Sequence, residues 1–115
     1  MTITLAVTGS RELEDAEFVW AQISRMQPEV VIVGDCSTGV DALTRQWCRV
    51  FGVRCEVLTA DWAKFGKSAG PRRNRRLVRK AKEEGAFLLA FPRGGPGTRD
   101  CIAQAKRVGL HVREV

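Results

Sequence analysis

Three short segments rich in glycine and hydroxyl side chains are the part of this sequence best suited to hold a ligand. The first is Gly9-Ser10-Arg11, the second spans 34–41 and the third spans 92–98. Glycine lets a backbone approach a bound group closely, and the free N–H groups of a helix start attract anions. The segments therefore favour a phosphate-bearing ligand, with these candidate binding residues: Gly9, Ser10, Arg11, Ser37, Thr38, Gly39, Asp41, Gly94, Gly95, Gly97 and Thr98.

The three segments do not match the common nucleotide-binding signatures. None ends in Gly-Lys-Ser/Thr, so there is no Walker A loop, and none reads G-x-G-x-x-G, so there is no ordinary dinucleotide fingerprint. A single glycine-rich segment is equally well explained as a turn. Three segments at one edge of a sheet favour binding over that explanation.

A basic segment adds positive charge to the same candidate site. The chain has a net charge of +6, and nine Lys and Arg lie between Lys64 and Lys82 with no acid among them, whereas the rest is close to neutral. Such a cluster favours an anionic partner. Arg73 and Asn74 fall in the first turn of a predicted helix, where they can hold a phosphate or a ribose. The outward cations of that helix are equally consistent with a solvated face.

Two further side chains have two interpretations each. Trp62, on the loop before the basic helix, either covers the core or offers a platform for base stacking. Asp41 either caps the helix that it begins or recognises a ribose hydroxyl.

Apolar runs alternate with amphipathic segments along the chain. Strands are predicted at 3–7, 30–33, 53–58, 86–91 and 110–115, those at 30–33 and 86–91 being buried, and helices at 14–26, 41–51, 71–84 and 98–108, with an irregular stretch at 59–70. This alternation predicts one α/β domain over 1–115, a Rossmann-like parallel sheet of about five strands with helices on both faces. Such sheets bind ligands beyond the carboxyl ends of their strands.

Other composition features indicate a cytoplasmic protein without metal or cofactor. The four cysteines include no Cys-x-x-Cys pair, and there is one histidine, His111. Free thiols in a reducing compartment are the simplest explanation, with a catalytic Cys-His pair as a remote alternative. There is no long apolar run, so no membrane partner is predicted, and the first residues lack the basic region of a signal peptide.

Five blocks in fixed order carry a family resemblance: 9–11, 34–43, 60–62, 69–74 and 91–98. They resemble the small YspA/YpsA-related branch of the SLOG superfamily, whose other members include the Lonely Guy phosphoribohydrolases and DprA. The resemblance covers nearly the whole chain. It implies a Rossmann-like fold, binding or processing of nucleotide-derived ligands such as NAD- and ADP-ribose-related signals, occurrence in bacteria and phages, and a homo-oligomer, dimeric or larger.

The sequence departs from those relatives in two segments that bear on chemistry. The phosphoribohydrolases carry Pro-Gly-Gly-x-Gly-Thr-x-x-Glu with a catalytic Glu. Here Arg93 is inserted and Cys101 stands in place of the Glu, while Asp100 lies one residue, about 100°, away around the helix. In the second segment Asp35 would repel a phosphate unless it points away or binds a hydroxyl or a base amine. Arg93 is a gate, a phosphate clamp or a solvent-facing residue.

Three functions are compatible with these features. The favoured one is a binding module, a sensor or a sponge that sequesters a nucleotide signal, because the expected catalytic Glu is missing. The first alternative is an N-glycosidase-type enzyme that processes a nucleotide, with Asp41, Asp61 and Asp100 as its candidate acids. The second alternative is nucleic-acid binding through the arginine-rich helix, by analogy with DprA.

Overall fold

A sheet of five parallel strands forms the middle layer of the molecule, and the computed structural model describes residues 2–115. The elements in chain order are β1 (Thr4–Gly9), α1 (Ala16–Met26), β2 (Val30–Gly34), α2 (Gly39–Phe51), β3 (Arg54–Leu58), α3 (Trp62–Phe65), a 3₁₀ turn (Gly66–Ser68), α4 (Ala69–Glu83), β4 (Phe87–Phe91), α5 (Pro96–Arg107) and β5 (Val112–Glu114). The predicted Rossmann-like α/β class is confirmed.

The strand order β3-β2-β1-β4-β5 determines where a site can form. The chain moves outward from β1 to β3, crosses back over the sheet, and continues outward from β4 to β5 on the other side. The order therefore reverses between β1 and β4, whose parallel register pairs Gly9 with Phe91. Ligand crevices of open parallel sheets lie at such reversals, beyond the strand carboxyl ends.

The buried strands alternate their side chains between two hydrophobic layers. On β1, Leu5 and Val7 face the layer covered by α1 and α2, whereas Ala6 faces the layer covered by α4 and α5. All three are fully buried. Since both faces of the sheet are covered, the strands read as continuous apolar runs rather than as an alternation of polar and apolar residues.

Element boundaries differ from the predictions where local chemistry decides them. Helix α1 begins at 16 because the Asp15 carboxylate caps it, accepting from the Phe18 N–H at 3.1 Å. Helix α2 begins at Gly39, so Asp41 lies inside its first turn, and the interpretation of Asp41 as the N-cap is wrong. The stretch 59–70, predicted to be irregular, contains α3, the 3₁₀ turn and the start of α4.

Gly39 lets the second segment lie directly on the first. Its φ is +70°, and a Cβ there would collide with the backbone of Ser10 and Arg11. Two hydrogen bonds join the first and second segments next to this contact. The Val40 N–H donates to the Ser10 carbonyl at 3.0 Å, and the Thr38 hydroxyl donates to the Arg11 carbonyl at 2.9 Å.

The substitution Gly39→Ala tests this contact, with Gly52→Ala as its matched control. Gly52 has nearly the same φ, +68°, but open space around its Cβ position. We expect Gly52→Ala to cost about 1–2 kcal/mol from the left-handed backbone alone. Gly39→Ala adds overpacking against backbone, about 1–3 kcal/mol more. Urea unfolding measures both free energies, and equal losses would contradict the close approach.

Candidate functional site

A cavity of about 580 Å³ opens at the carboxyl ends of β1 and β4, where the strand order reverses. This volume falls within the range of small-molecule sites, about 300–1,000 Å³. All three glycine-rich segments and the start of α4 contribute to its wall. The lining residues are Thr8, Gly9, Ser10, Arg11, Glu12, Cys36, Asp41, Arg73, Asn74, Arg93, Gly94, Gly95, Pro96, Gly97 and Thr98.

The structure brings together most of the predicted binding residues but not all of them. Ten line the cavity: Gly9, Ser10, Arg11, Asp41, Arg73, Asn74, Gly94, Gly95, Gly97 and Thr98. Thr38 and Gly39 instead support the first segment from behind, and Ser37 is exposed beside them. Trp62 lies on α3, 52% exposed, with its ring against Gly70. Contact between any of these residues and a ligand stays a prediction.

Four lining residues were not singled out from the sequence. Thr8 and Glu12 flank the first segment, Cys36 lies within the second, and Pro96 opens α5. Thr8 had a usable signal, because a hydroxyl at the end of a buried strand faces the crevice. For Cys36 the sequence holds no such signal, since the direction of a side chain in an irregular loop does not follow from periodicity.

The third segment presents a helix start to the cavity without any side-chain cap. No side chain of the described residues bonds the first N–H groups of α5, which follow Gly95. Those N–H groups have no partner within the helix either, and with the helix dipole they attract anions. The Thr98 side chain is buried against the same wall. The start of α5 therefore has the free donors and the dipole end that an anion such as a phosphate requires.

Two glycines of that segment have no role in the fold itself. Gly95 and Gly97 lack positive φ, and a Cβ at either position would meet nothing within 4 Å. By contrast, Gly94 has a φ of +86° and is needed for the turn. Glycine at 95 and 97 leaves the backbone open to close approach of a bound group from the cavity side.

Arg73 is held at the cavity wall by two neighbours. Its Nη1 donates to Asp35 Oδ1 at 2.7 Å and its Nε donates to Asn74 Oδ1 at 3.3 Å. The other oxygen of Asp35 accepts from the Ala60 N–H at 3.2 Å. Asp35 thus points away from the cavity and pairs with Arg73, which decides between the alternatives that the sequence left for this acid.

Asn74 joins the starts of α4 and α5. Its Nδ2 donates to the Gly97 carbonyl at 3.1 Å and to Asp100 Oδ2 at 3.0 Å. Gln104 donates to the same Asp100 oxygen at 2.8 Å. Asp100 is therefore occupied in the contact between two helices and does not line the cavity.

The other candidates for chemistry also lie away from the cavity. Asp61 caps α3, accepting from the Lys64 N–H at 3.0 Å. Cys101 is fully buried in the layer beneath α4 and α5, and burial raises the pKa of its thiol to about 12. At neutral pH that thiol stays protonated and is not a nucleophile. Of the three predicted acids, Asp41 alone lines the cavity.

Asp41 is a buried carboxylate, only 7% exposed. Burial raises its pKa, while the Arg73 charge and the Cys36 N–H, 3.3 Å from Oδ2, act in the opposite direction. No residue between 2 and 115 donates a hydrogen bond to its second oxygen, Oδ1. Gly34 makes room for this arrangement, because a Cβ there would lie 2.6 Å from Asp41 Oδ2 and 2.9 Å from Arg73 Nη1. The arrangement leaves one acceptor for a donor group of a ligand.

Arg93 lies at the exposed rim. Its Nη1 donates to the Pro92 carbonyl at 2.6 Å and to the Val115 carbonyl at 3.0 Å, and its guanidinium lies 5.7 Å from the centre of the Phe18 ring. With Arg11 and Arg73 it makes three cations on the wall, against the acids Glu12 and Asp41. The cavity as a whole favours an anion with a hydroxyl or amine at the Asp41 side.

Comparison with known proteins identifies the family of this chain. A family model described as "YspA, cpYpsA-related SLOG family" matches residues 3–65, more than half of the chain. The chain belongs to this SLOG family. A relative, the "Gene 61 protein" of Mycobacterium phage D29, is 34% identical over 116 residues, spanning 92% of this chain and 90% of that protein.

Membership in this family confirms the resemblance inferred from the sequence. It also suggests that the protein binds or processes a nucleotide-related ligand. The matched region includes the first two glycine-rich segments and Asp41, whereas α4 and the third segment lie beyond it. Within residues 2–115, no three His, Cys, Asp or Glu side chains gather as a metal site would require. No helix in that range is both long and apolar enough to cross a membrane.

Asp41→Asn tests the buried carboxylate through the pH dependence of stability. An acid with a raised pKa binds more protons when folded, so its contribution to stability falls as pH rises through that pKa. We expect the variant to melt above the wild type near neutral pH. This difference should disappear below the ordinary aspartate pKa of 3.8.

Thermal melting from pH 3 to pH 8 measures this difference, and Asp61→Asn is the control because Asp61 caps an exposed short helix. A variant at Asp41 that melts below the wild type at neutral pH would show that its charge is stabilising.

Proposed function

We propose that this SLOG protein binds a phosphate-bearing nucleotide derivative and acts as a sensor or as a sponge that sequesters it. The uncapped start of α5 is the observation that carries the proposal, because it opens on the cavity beside two glycines that the fold does not need. Backbone N–H groups and the helix dipole supply the phosphate site. Arg11 and Arg73 add charge along the adjacent wall.

The Asp41 carboxylate on the cavity wall orients the ligand. A phosphate near the Asp41 carboxylate would be repelled, so the phosphate goes to α5 and a hydroxyl goes to Asp41. The free Oδ1 acceptor suits a ribose hydroxyl, which is a donor of the right kind. A ligand with phosphate and ribose joined, of the NAD, ADP-ribose or cyclic-nucleotide type, satisfies both ends of a cavity of about 580 Å³.

Binding without conversion is favoured by the positions of the acids. N-glycosidic hydrolysis needs a carboxylate near the anomeric carbon to stabilise an oxocarbenium-like transition state. Asp100 and Asp61 are occupied elsewhere, and the position of the phosphoribohydrolase Glu is the buried Cys101. The enzyme alternative therefore depends on Asp41, whose raised pKa suits a proton donor. The predicted homo-oligomer and cytoplasmic location stay part of the proposal.

Melting curves with candidate ligands, followed by chromatography of each mixture, test the proposal directly. The ligands are AMP, ADP, ADP-ribose, NAD, cyclic ADP-ribose isomers and cyclic dinucleotides. A ligand present at 100 times its Kd adds about 2.7 kcal/mol of stability. We expect a raised Tm with the ligand recovered intact. A new product that is formed by the wild type and not by Asp41→Asn would show that the protein is an enzyme and not a sponge. If no ligand raises the Tm, the proposed class of ligand is rejected.

Gly97→Ala separates ligand binding from folding. Alanine in a helix is favoured over glycine by about 0.5–1 kcal/mol, and nothing in the protein obstructs its methyl group. We expect the unliganded Tm to hold or rise slightly. The methyl group enters the space of the phosphate, so ligand affinity should fall about ten-fold or more, a loss of about 1.4 kcal/mol. The same assay measures both effects, and an unchanged ligand shift would place the phosphate elsewhere.

A further inference from the structure

The outward side of α4 and the short helix before it form a surface of unpaired positive charge. We define this basic face by the residues Lys64, Lys67, Arg72, Arg75, Arg76, Arg79 and Lys82. Within residues 2–115, no acid lies within ion-pair distance of any of them. None of the seven lines the cavity, so the basic face is separate from the proposed nucleotide site.

The pairing of charges in this segment is selective. Arg73, at the cavity wall, pairs with Asp35, and Lys80 pairs with Glu56 and Glu84 at 2.9 and 3.0 Å. Beyond the nine cations between 64 and 82, the chain has ten Lys and Arg against thirteen Asp and Glu. The remainder of the molecule is therefore net negative, and the positive charge is concentrated on one side.

Helix geometry crowds these charges together. At about 100° per residue, the five cations of α4 occupy an arc of about 120°, opposite the buried Leu77 and Ala81. Arg72 and Arg76, like Arg75 and Arg79, are like-charge neighbours four residues apart, an arrangement that destabilises a helix. A surface required only for solubility intersperses both signs of charge. An extended anion lying along the helix would offset the repulsion.

Aromatic rings accompany the charges at one end of the basic face. Phe65 lies between two cations, with Arg72 4.2 Å and Lys64 5.1 Å from its ring centre. They line a groove of about 380 Å³ together with Thr59, Asp61, Ala69 and Arg76. Trp62 precedes these groove residues in the sequence, and 52% of its surface is exposed. Stacking rings beside a row of cations are the elements that hold single strands.

We propose that the basic face binds single-stranded nucleic acid, with phosphates along the arginines of α4 and a base stacked on Trp62. Four of the seven cations are arginine, whose planar fork matches phosphate oxygens and stacks on rings. Base stacking accounts for the exposed rings and the cations together, and an acidic protein is the alternative that competition by polyglutamate tests. A membrane surface calls for an apolar stripe, which this side of α4 lacks.

Fluorescence anisotropy with a labelled single-stranded DNA of about 12 nucleotides tests the proposal on the full chain. The double variant Arg75→Gln/Arg79→Gln removes two exposed cations of the face. The control Arg25→Gln/Arg49→Gln removes the same charge from exposed positions of α1 and α2. We expect the first to weaken binding about ten-fold and to reduce the log–log salt slope by about 1.4, since each phosphate contact on a single strand contributes about 0.7. The control should stay within about two-fold.

Two further measurements identify the partner. Trp62→Ala should lower affinity for the oligonucleotide about ten-fold through lost stacking, whereas Trp62→Phe, which keeps a ring over Gly70, should retain most of it. Gly97→Ala should leave the affinity for the oligonucleotide unchanged. Failure of the cavity proposal and failure of the basic-face proposal are therefore distinguishable. Equal losses in both charge variants, no binding by the wild type at 50 mM salt, or equal competition by polyglutamate of matched charge would each overturn the proposal.

Discussion

The parallel pairing of β1 with β4 is the contact on which the rest of the site depends. It brings two segments that lie about 80 residues apart in the chain to the same edge, with the Ser10 N–H donating to the Phe91 carbonyl at 3.1 Å. Because both strands are buried on both faces, their register cannot slip without exposing apolar residues. The floor of the cavity is therefore as rigid as the core beneath it.

The wall of the cavity depends on positions where a side chain is absent. Gly9 lies so close to Val40 that a Cβ would be 2.5 Å from that side chain, and a Cβ at Gly34 would collide with both Asp41 and Arg73. Ion pairing then determines which charges face the cavity. Arg73 lines the cavity while it pairs with Asp35, and Asp41 keeps one oxygen without a donor. Compact loops and an uneven charge pattern together produce a polar cavity in a small domain.

The sequence predicted the fold well because its signals are physical and local. Apolar runs such as Val30–Val33 and amphipathic segments such as 71–84 admit few other arrangements, and their alternation implies a parallel sheet. Glycine at 39 suggested a loop, although its positive φ ends the loop and begins a helix. The stretch 59–70 was missed because short helices depend on caps such as Asp61 more than on periodicity.

The site was predictable in its location and less so in its details. Glycine-rich segments after strands had to meet at one edge, and ten of the residues singled out lie on the cavity wall. Four others do not, because periodicity does not show which way short loops and one-turn helices direct their residues; these are Ser37, Thr38, Gly39 and Trp62. The Asp35–Arg73 pair joins residues 38 positions apart, a distance at which no periodicity connects them.

The buried position of Cys101 constrains how this domain is related to the phosphoribohydrolases it resembles. A glutamate there would place a carboxylate in the layer that holds Ala6 and Leu88, beside the Thr8 hydroxyl, and burial would disfavour its charged form. An acid at position 101 would therefore have to be accommodated by repacking between α5 and the sheet, so that charge and packing at this one position are coupled.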